Sequence, residues 1–298
     1  MSLRFAVYDV FTDQPFAGNP LAVVFDADAL SDAQMQTVAR EFNLSETIFV
    51  RRPSDARHAA QVRIFTPGAE LPFAGHPTIG GAIALAEDRH EPGAPNDVVL
   101  VLEEKIGPVR CGVKLSSGKA SFAEFSVPKL AEPAGEAPDA ASLAHALGLT
   151  PADIGFGAHA PSFLSAGVPY VMAPLASLEA LARARCVGSL SESLGCASVF
   201  AYARAAHDAA HSFRARMFAP ELGIPEDPAT GSAVAAFAGV LERFEALPDG
   251  WHTLPVLQGV EMGRPSLIGL EVQLEAGKLA GARIAGQAVK ISEGVLFV

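Results

Sequence analysis

The sequence predicts an α+β protein of two pseudo-symmetric lobes, each a largely antiparallel β-sheet or barrel wrapped around one central apolar helix. Three observations carry that expectation. First, a set of residues recurs: Arg63, Phe65 and Pro67 lead into His76-Pro77 and then Gly80, Ala82 and Ala84, and about 150 residues later Arg216, Phe218 and Pro220 lead into Asp227-Pro228, Gly231, Ala233 and Ala235. Second, strand-like runs joined by tight turns outnumber helical ones, which favours antiparallel pairing over a doubly wound parallel sheet. Third, the Ala/Gly-rich stretches after Pro77 and from Gly231 are apolar on every side, as a helix enclosed by sheet must be.

The elements follow in order. Arg4 to Phe11 and Leu21 to Phe25 read as strands around a turn at Gly18-Asn19-Pro20, and Ser31 caps a helix that sets Met35, Val38, Ala39 and Phe42 on one face. Strands Glu46 to Val50 and Ala60 to Thr66 precede the helix Pro77 to Glu87, and strands Val98 to Leu102, Pro108 to Val113 and Ala120 to Val127 complete the first lobe. Pro128 to Pro138, rich in Pro, Ala and Glu, reads as a linker. The second lobe has a helix over Asp139 to Leu147 stopped by Gly148, a strand near Tyr170 to Ala173 and a helix around Ser177 to Arg183. Strands Ala197 to Ala203 and Ser212 to Phe218, a helix Gly231 to Glu245 and strands after Trp251 close it. The expected lobes are therefore 1–127, joined by the last strand at about 288–298, and 128–287.

Bulk properties narrow the partners. At 298 residues, half of them apolar, the chain is long enough for two compact cores. A net charge of −11 without any Lys/Arg cluster argues against nucleic acid and anionic membrane. No basic segment leads an apolar one at the N-terminus and no apolar run approaches ~18 residues, so a cytoplasmic protein is expected. Cys111, Cys186 and Cys196 are odd in number and lack C-x-x-C spacing, which reads as buried reduced thiols, not a disulfide frame or zinc site. His207 and His211 are four apart but lack the H-E-x-x-H glutamate, and no metal is expected. Nucleotide-binding loops and a nucleophile elbow are absent from the sequence.

Three proton-handling residues stand out. Glu46 follows Asn43-Leu44-Ser45 in what resembles a helix cap, yet Thr47 to Val50 are strand formers, so no helix follows to be capped. In the repeat Glu46 aligns with Ala197, which puts an acid in one lobe alone, while His76 aligns with Asp227 at the start of each small-residue helix. Both X-Pro steps also suit helix caps, a structural role compatible with a chemical one. Small residues at those starts, Gly75, Gly231 and Ser232, permit tight packing and also allow a carboxylate to approach the backbone N–H groups.

Four motifs then carry a resemblance: Phe16-Ala17-Gly18-Asn19-Pro20, Asn43-Leu44-Ser45-Glu46-Thr47, Phe73-Ala74-Gly75-His76-Pro77-Thr78 and Glu226-Asp227-Pro228-Ala229-Thr230-Gly231-Ser232. Together they resemble the phenazine-biosynthesis PhzF-like family of isomerases. The resemblance covers nearly the whole chain and implies a diaminopimelate-epimerase-like fold, an active site between the lobes and a homodimer. It implies Glu46, His76 and Asp227 as catalytic residues, with Gly75, Thr78, Gly231 and Ser232 binding substrate. Diaminopimelate epimerase and proline racemase use a cysteine pair, one per lobe; no cysteine stands at either helix start here, which disfavours a two-thiol racemase.

The implied reaction moves a proton within a small carboxylate-bearing substrate and needs no cofactor. A carboxyl group that takes a proton from carbon and returns it elsewhere needs a pKa near the working pH, which burial supplies. With Ala197 opposite Glu46, a one-base shuttle is expected. A non-catalytic binding protein for small carboxylates and a lyase or hydrolase using the same groups are the alternatives.

Overall fold

The computed structural model describes residues 2–90, 96–117, 120–205 and 211–298. It divides into two compact units, Met1–Pro128 with Ala285–Val298, and Lys129–Ile284.

The first unit contains β1 (Ser2–Val10), β2 (Asn19–Val24), α1 (Asp32–Phe42), β3 (Glu46–Arg51), β4 (Ala60–Phe65), β5 (Glu70–Leu71), α2 (Gly75–Arg89), β6 (Asn96–Glu104), β7 (Gly107–Leu115) and β8 (Ser121–Ser126). The second contains β9 (Glu132–Pro133), α3 (Ala140–Ala146), β10 (Ser162–Ser165), β11 (Pro169–Pro174), α4 (Leu178–Arg183), α5 (Leu190–Leu194), β12 (Val199–Arg204), β13 (Phe213–Ala219), β14 (Ile224–Asp227), α6 (Gly231–Phe244), β15 (Gly250–Thr253), β16 (Val256–Gln258) and β17 (Ser266–Glu275). The last strand, β18 (Lys278–Phe297), begins in the second unit and ends in the first.

In the first unit the pairings run β1, β2, β3, β4, β6, β7, β8, β18 and back to β1, which closes a barrel. Pairing is mostly antiparallel, with β2–β3 and β4–β6 parallel. Closure leaves no edge strand on this ring. The barrel wraps α2, whose residues from Gly75 to Ala86 are all buried. A Cβ on Gly80 would come within 2.6 Å of Leu21 and one on Gly81 within 2.8 Å of Ile48, so the missing side chains are what let α2 lie against β2 and β3. Outside the barrel, α1 starts with a full capping box, Ser31 and Gln34 exchanging hydrogen bonds, and packs Met35, Val38 and Ala39 onto Phe49 and Phe65.

The second unit repeats the plan. Its sheet runs β9, β10, β11, β12, β13, β16, β17, with β11–β12 and β13–β16 parallel. Against it lies α6, buried from Ala233 to Leu241, with Phe237 edge-on to Tyr202 at 4.7 Å and to Phe213 at 5.0 Å. Helices α3, α4 and α5 cover the other face through Leu143, Leu147, Leu181, Leu190 and Leu194.

Strand register corrects the internal alignment. On β4, Phe65 pairs with Thr47; on β13, Phe218 pairs with Val199. Counting back one residue, the counterpart of Glu46 is the buried Ser198, not Ala197. Ile48 and Phe200 then correspond, and each meets the central helix of its unit, Ile48 at Gly81 and Phe200 at Phe237. The two X-Pro steps are not equivalent either. His76-Pro77 lies inside the first turn of α2, where Pro77 removes only an N–H that has no partner in a helix. Asp227 ends β14, paired with Met217, and the helix begins later, at Gly231. Neither His76 nor Asp227 is an N-cap; those places fall to Ala74 and Thr230.

Candidate active site

In the first unit the site grows from the parallel pairing of β2 with β3. That register sets Leu21 beside Glu46, so both strands start at the same end as α2. Asn43 closes α1 in the left-handed conformation at φ 50°, which turns the chain directly into β3. Gly18, at φ 65°, makes the turn into β2, and a Cβ there would sit 2.3 Å from the Val10 carbonyl oxygen. These turns hold Asn19 and Glu46 beside the start of α2.

Glu46 and His76 are both buried, and His76 Nδ1 lies 3.3 Å from Glu46 Oε2. Asn19 Nδ2 lies 3.3 Å from the same nitrogen. Burial lowers the His76 pKa to about 3, with the Pro20 carbonyl acting the other way, so the ring is neutral at physiological pH. A neutral ring carries one N–H. Nδ1 is the ring nitrogen that lies near both the Glu46 carboxyl and the Asn19 amide.

Gly75 is the first residue of α2, and Ala74 provides no side-chain cap for the N–H groups of that turn. Thr78 is fully buried, with Oγ1 2.8 Å from the Ala74 carbonyl and 2.7 Å from Glu104 Oε1.

In the second unit Asp227 is buried and accepts a hydrogen bond from Thr230 Oγ1. Gln258, fully buried on β16, binds both ends of the connecting turn. Its amide donates to the Asp227 carbonyl at 2.7 Å and its oxygen accepts the Thr230 N–H at 3.1 Å. Gly259, at φ 76°, follows it so closely under Pro228 that a Cβ would meet the Pro228 carbonyl oxygen at 2.6 Å. Gly231 opens α6, again without a side-chain cap, and Ser232 Oγ lies 2.8 Å from Tyr170 Oη. The uncapped starts of α2 and α6 carry partial positive charge of about half a unit each, suited to a carboxylate.

The sequence residues thus fall into two sets, Glu46, Gly75, His76 and Thr78 in one unit and Asp227, Gly231 and Ser232 in the other. The sequence pattern does not mark Asn19, Glu104, Tyr170 or Gln258 as site residues. Asn19 lies within Phe16-Ala17-Gly18-Asn19-Pro20, which carries a signal for it; the other three depend on pairing between distant strands. Of the His207 and His211 pair, His207 lies outside the described residues. The three cysteines are free thiols, with Cys186 pushed up to about 11 by burial. No helix among the described residues is long and apolar enough to cross a membrane.

Comparison with known proteins shows the family and the fold. An uncharacterized isomerase of Mesorhizobium japonicum is 50% identical over 302 residues, covering 99% of each chain. The trans-2,3-dihydro-3-hydroxyanthranilate isomerase of Pseudomonas aeruginosa is 36% identical over 298 residues, again with 99% of each chain covered. The crystal structure of a PhzF-family phenazine biosynthesis protein from Bacillus anthracis superposes with a TM-score of 0.86 at 26% identity, over 100% of both chains. With the family model for phenazine biosynthesis-like proteins matching residues 8–294, this chain belongs to that family and is an isomerase.

Proposed function

We propose that this isomerase shifts a proton within a small carboxylate-bearing substrate by acid/base catalysis, with no cofactor taking part. The observation that carries the reading is the buried contact between Glu46 and the neutral His76 ring. Glu46 removes a proton from a substrate carbon and returns it to another position. His76 stands beside it as a neutral imidazole that adds no competing positive charge. Positioned acid/base help of this kind is typically worth roughly 10² to 10⁴ in rate.

In the same reading the first-turn N–H groups at Gly75, in the unit that holds Glu46, bind the substrate carboxylate and stabilise charge that develops on it, and Gly231 and Ser232 offer the equivalent helix start in the other unit. Asp227, held by Thr230, orients substrate or relays a second proton. Thr78 spends its hydroxyl inside the first unit, so its role is support of the helix start and not ligand contact. The counterpart of Glu46 is Ser198, which carries no acid, and this favours a one-base shuttle over two opposed bases. The relative that isomerises trans-2,3-dihydro-3-hydroxyanthranilate makes that dihydro-aromatic carboxylate the first compound to assay.

Glu46→Gln tests the reading in heavy water. The variant is expected to keep its fold and ligand affinity while losing exchange of carbon-bound hydrogen with solvent. Retained exchange in Glu46→Gln would overturn the one-base assignment.

A further inference from the structure

The two central helices are held at their starts by equivalent residues of different chemistry. Parallel pairing sets Gln61 beside Glu103 in the first unit and Arg214 beside Leu257 in the second. The strands β4 and β13 are counterparts: Arg63 lies over Phe65 and pairs with Glu70, and Arg216 lies over Phe218 and pairs with Glu226. One residue further along the partner strands, Glu104 therefore occupies the place of Gln258. Gln258 ties down Thr230, the N-cap of α6. Glu104 reaches Thr78, which reaches the carbonyl of Ala74, the N-cap of α2.

The hydrogen count decides the state of Glu104. The Thr78 hydroxyl has one proton, yet two oxygens lie at hydrogen-bond distance, Ala74 O at 2.8 Å and Glu104 Oε1 at 2.7 Å. An ionised Glu104 leaves one of these contacts without a hydrogen. A protonated Glu104 donates to Thr78, and Thr78 donates to Ala74, so both are satisfied. Glu104 Oε2 is buried without a partner, which a neutral carbonyl tolerates far better than a carboxylate does.

We propose that Glu104 is a positioning residue: held as a neutral carboxylic acid, it acts as a glutamine-like strut that fixes the first turn of α2, and with it Gly75 and His76. This rests on the proposed function only in linking the strut to catalysis. Burial pushes the Glu104 pKa up to about 8, opposed by the Thr78 hydroxyl. From β7 the buried Cys111 faces it, a thiol raised by burial and by charge on Glu104. From α2 comes Thr78, and Val62, Ile64 and Phe125 on β4 and β8 are buried. Its strand neighbours are engaged elsewhere, Lys105 with Glu70 and Glu103 with Ser54 and His58.

The test uses wild type, Glu104→Gln, Glu104→Leu and Thr78→Val. In ¹³C-carboxyl-labelled protein, one glutamate resonance is expected to titrate near pH 8 and to be missing in Glu104→Gln. The His76 ring signals should stay in place in Glu104→Gln and move in Glu104→Leu. With trans-2,3-dihydro-3-hydroxyanthranilate as probe, Glu104→Gln should match wild-type kcat/KM at pH 6 and lose the fall above pH 8. Glu104→Leu should be lower by about tenfold or more throughout, through displacement of the helix start. Should Glu104→Leu not fold, Thr78→Val serves in its place. A Glu104 carboxyl titrating near its ordinary 4.5, or Glu104→Gln as impaired as Glu104→Leu, would overturn the proposal. Because the NMR arms need no turnover, they decide it even if the probe is not a substrate.

Discussion

Replacing Glu104 by Gln is expected to stabilise the protein, and to do so more strongly as pH rises. Below its ordinary pKa of 4.5 the group is protonated in both folded and unfolded chains, so burial adds no ionisation penalty. Above that value the unfolded chain releases the proton while the folded one keeps it until about pH 8, and stability falls across the window. At ~1.36 kcal/mol per unit, the loss is about 1 kcal/mol at pH 5, about 3 at pH 7 and about 5 above pH 8. Glutamine has nearly the same shape and no proton to lose, so its variant escapes this slope while its amide still donates to Thr78. Urea unfolding at pH 5 and pH 7 measures the difference directly, since other titrating groups are common to both proteins. The variant should gain about 2 kcal/mol on wild type between the two pH values. A stability gap that stays constant from pH 5 to 8 would refute the reasoning, because it would mean that Glu104 titrates alike in both states.

Three further outcomes are expected. Gly18→Ala combines a left-handed backbone with a Cβ 2.3 Å from the Val10 carbonyl, and should cost more than ~2 kcal/mol in urea unfolding and displace Asn19 from His76. Gln258→Leu leaves the Thr230 N–H and Asp227 carbonyl without their partner in a buried setting, a loss of roughly 2–4 kcal/mol that a lower melting temperature would report. Phe237→Ala removes a fully buried ring from its contacts with Tyr202 and Phe213 and should destabilise by about 3–5 kcal/mol; an unchanged urea midpoint would contradict that packing.

Local pattern made much of the architecture legible. Ser31 and the apolar face of Met35, Val38 and Ala39 announced α1, and the all-apolar stretches announced α2 and α6, because those signals lie within a few neighbouring residues. What escaped was information carried by strand register. Ser162–Ser165 is too short to show a clear alternation, and the five-residue helix Leu190–Leu194 has no apolar periodicity of its own to display. A one-residue slip between the repeats moved Glu46 onto Ala197, where pairing with Phe65 and Phe218 selects Ser198. The match between Glu104 and Gln258 is invisible in the same way. Each owes its place to parallel strands about 40 residues apart in sequence, and a Glu and a Gln in unrelated surroundings give no hint of one shared task.

The β18 strand imposes an order on synthesis. Residues 129–284 are continuous and leave the ribosome as one piece, free to collapse as soon as they emerge. The first unit cannot: β1 has to wait for Ala288–Phe297, which follow the whole second unit along the chain, before its ring is complete. The unit that begins earlier in the chain is thus completed after the one that follows it, and until then β1 and β8 are left as open margins that a chaperone, or a neighbouring nascent chain, can engage.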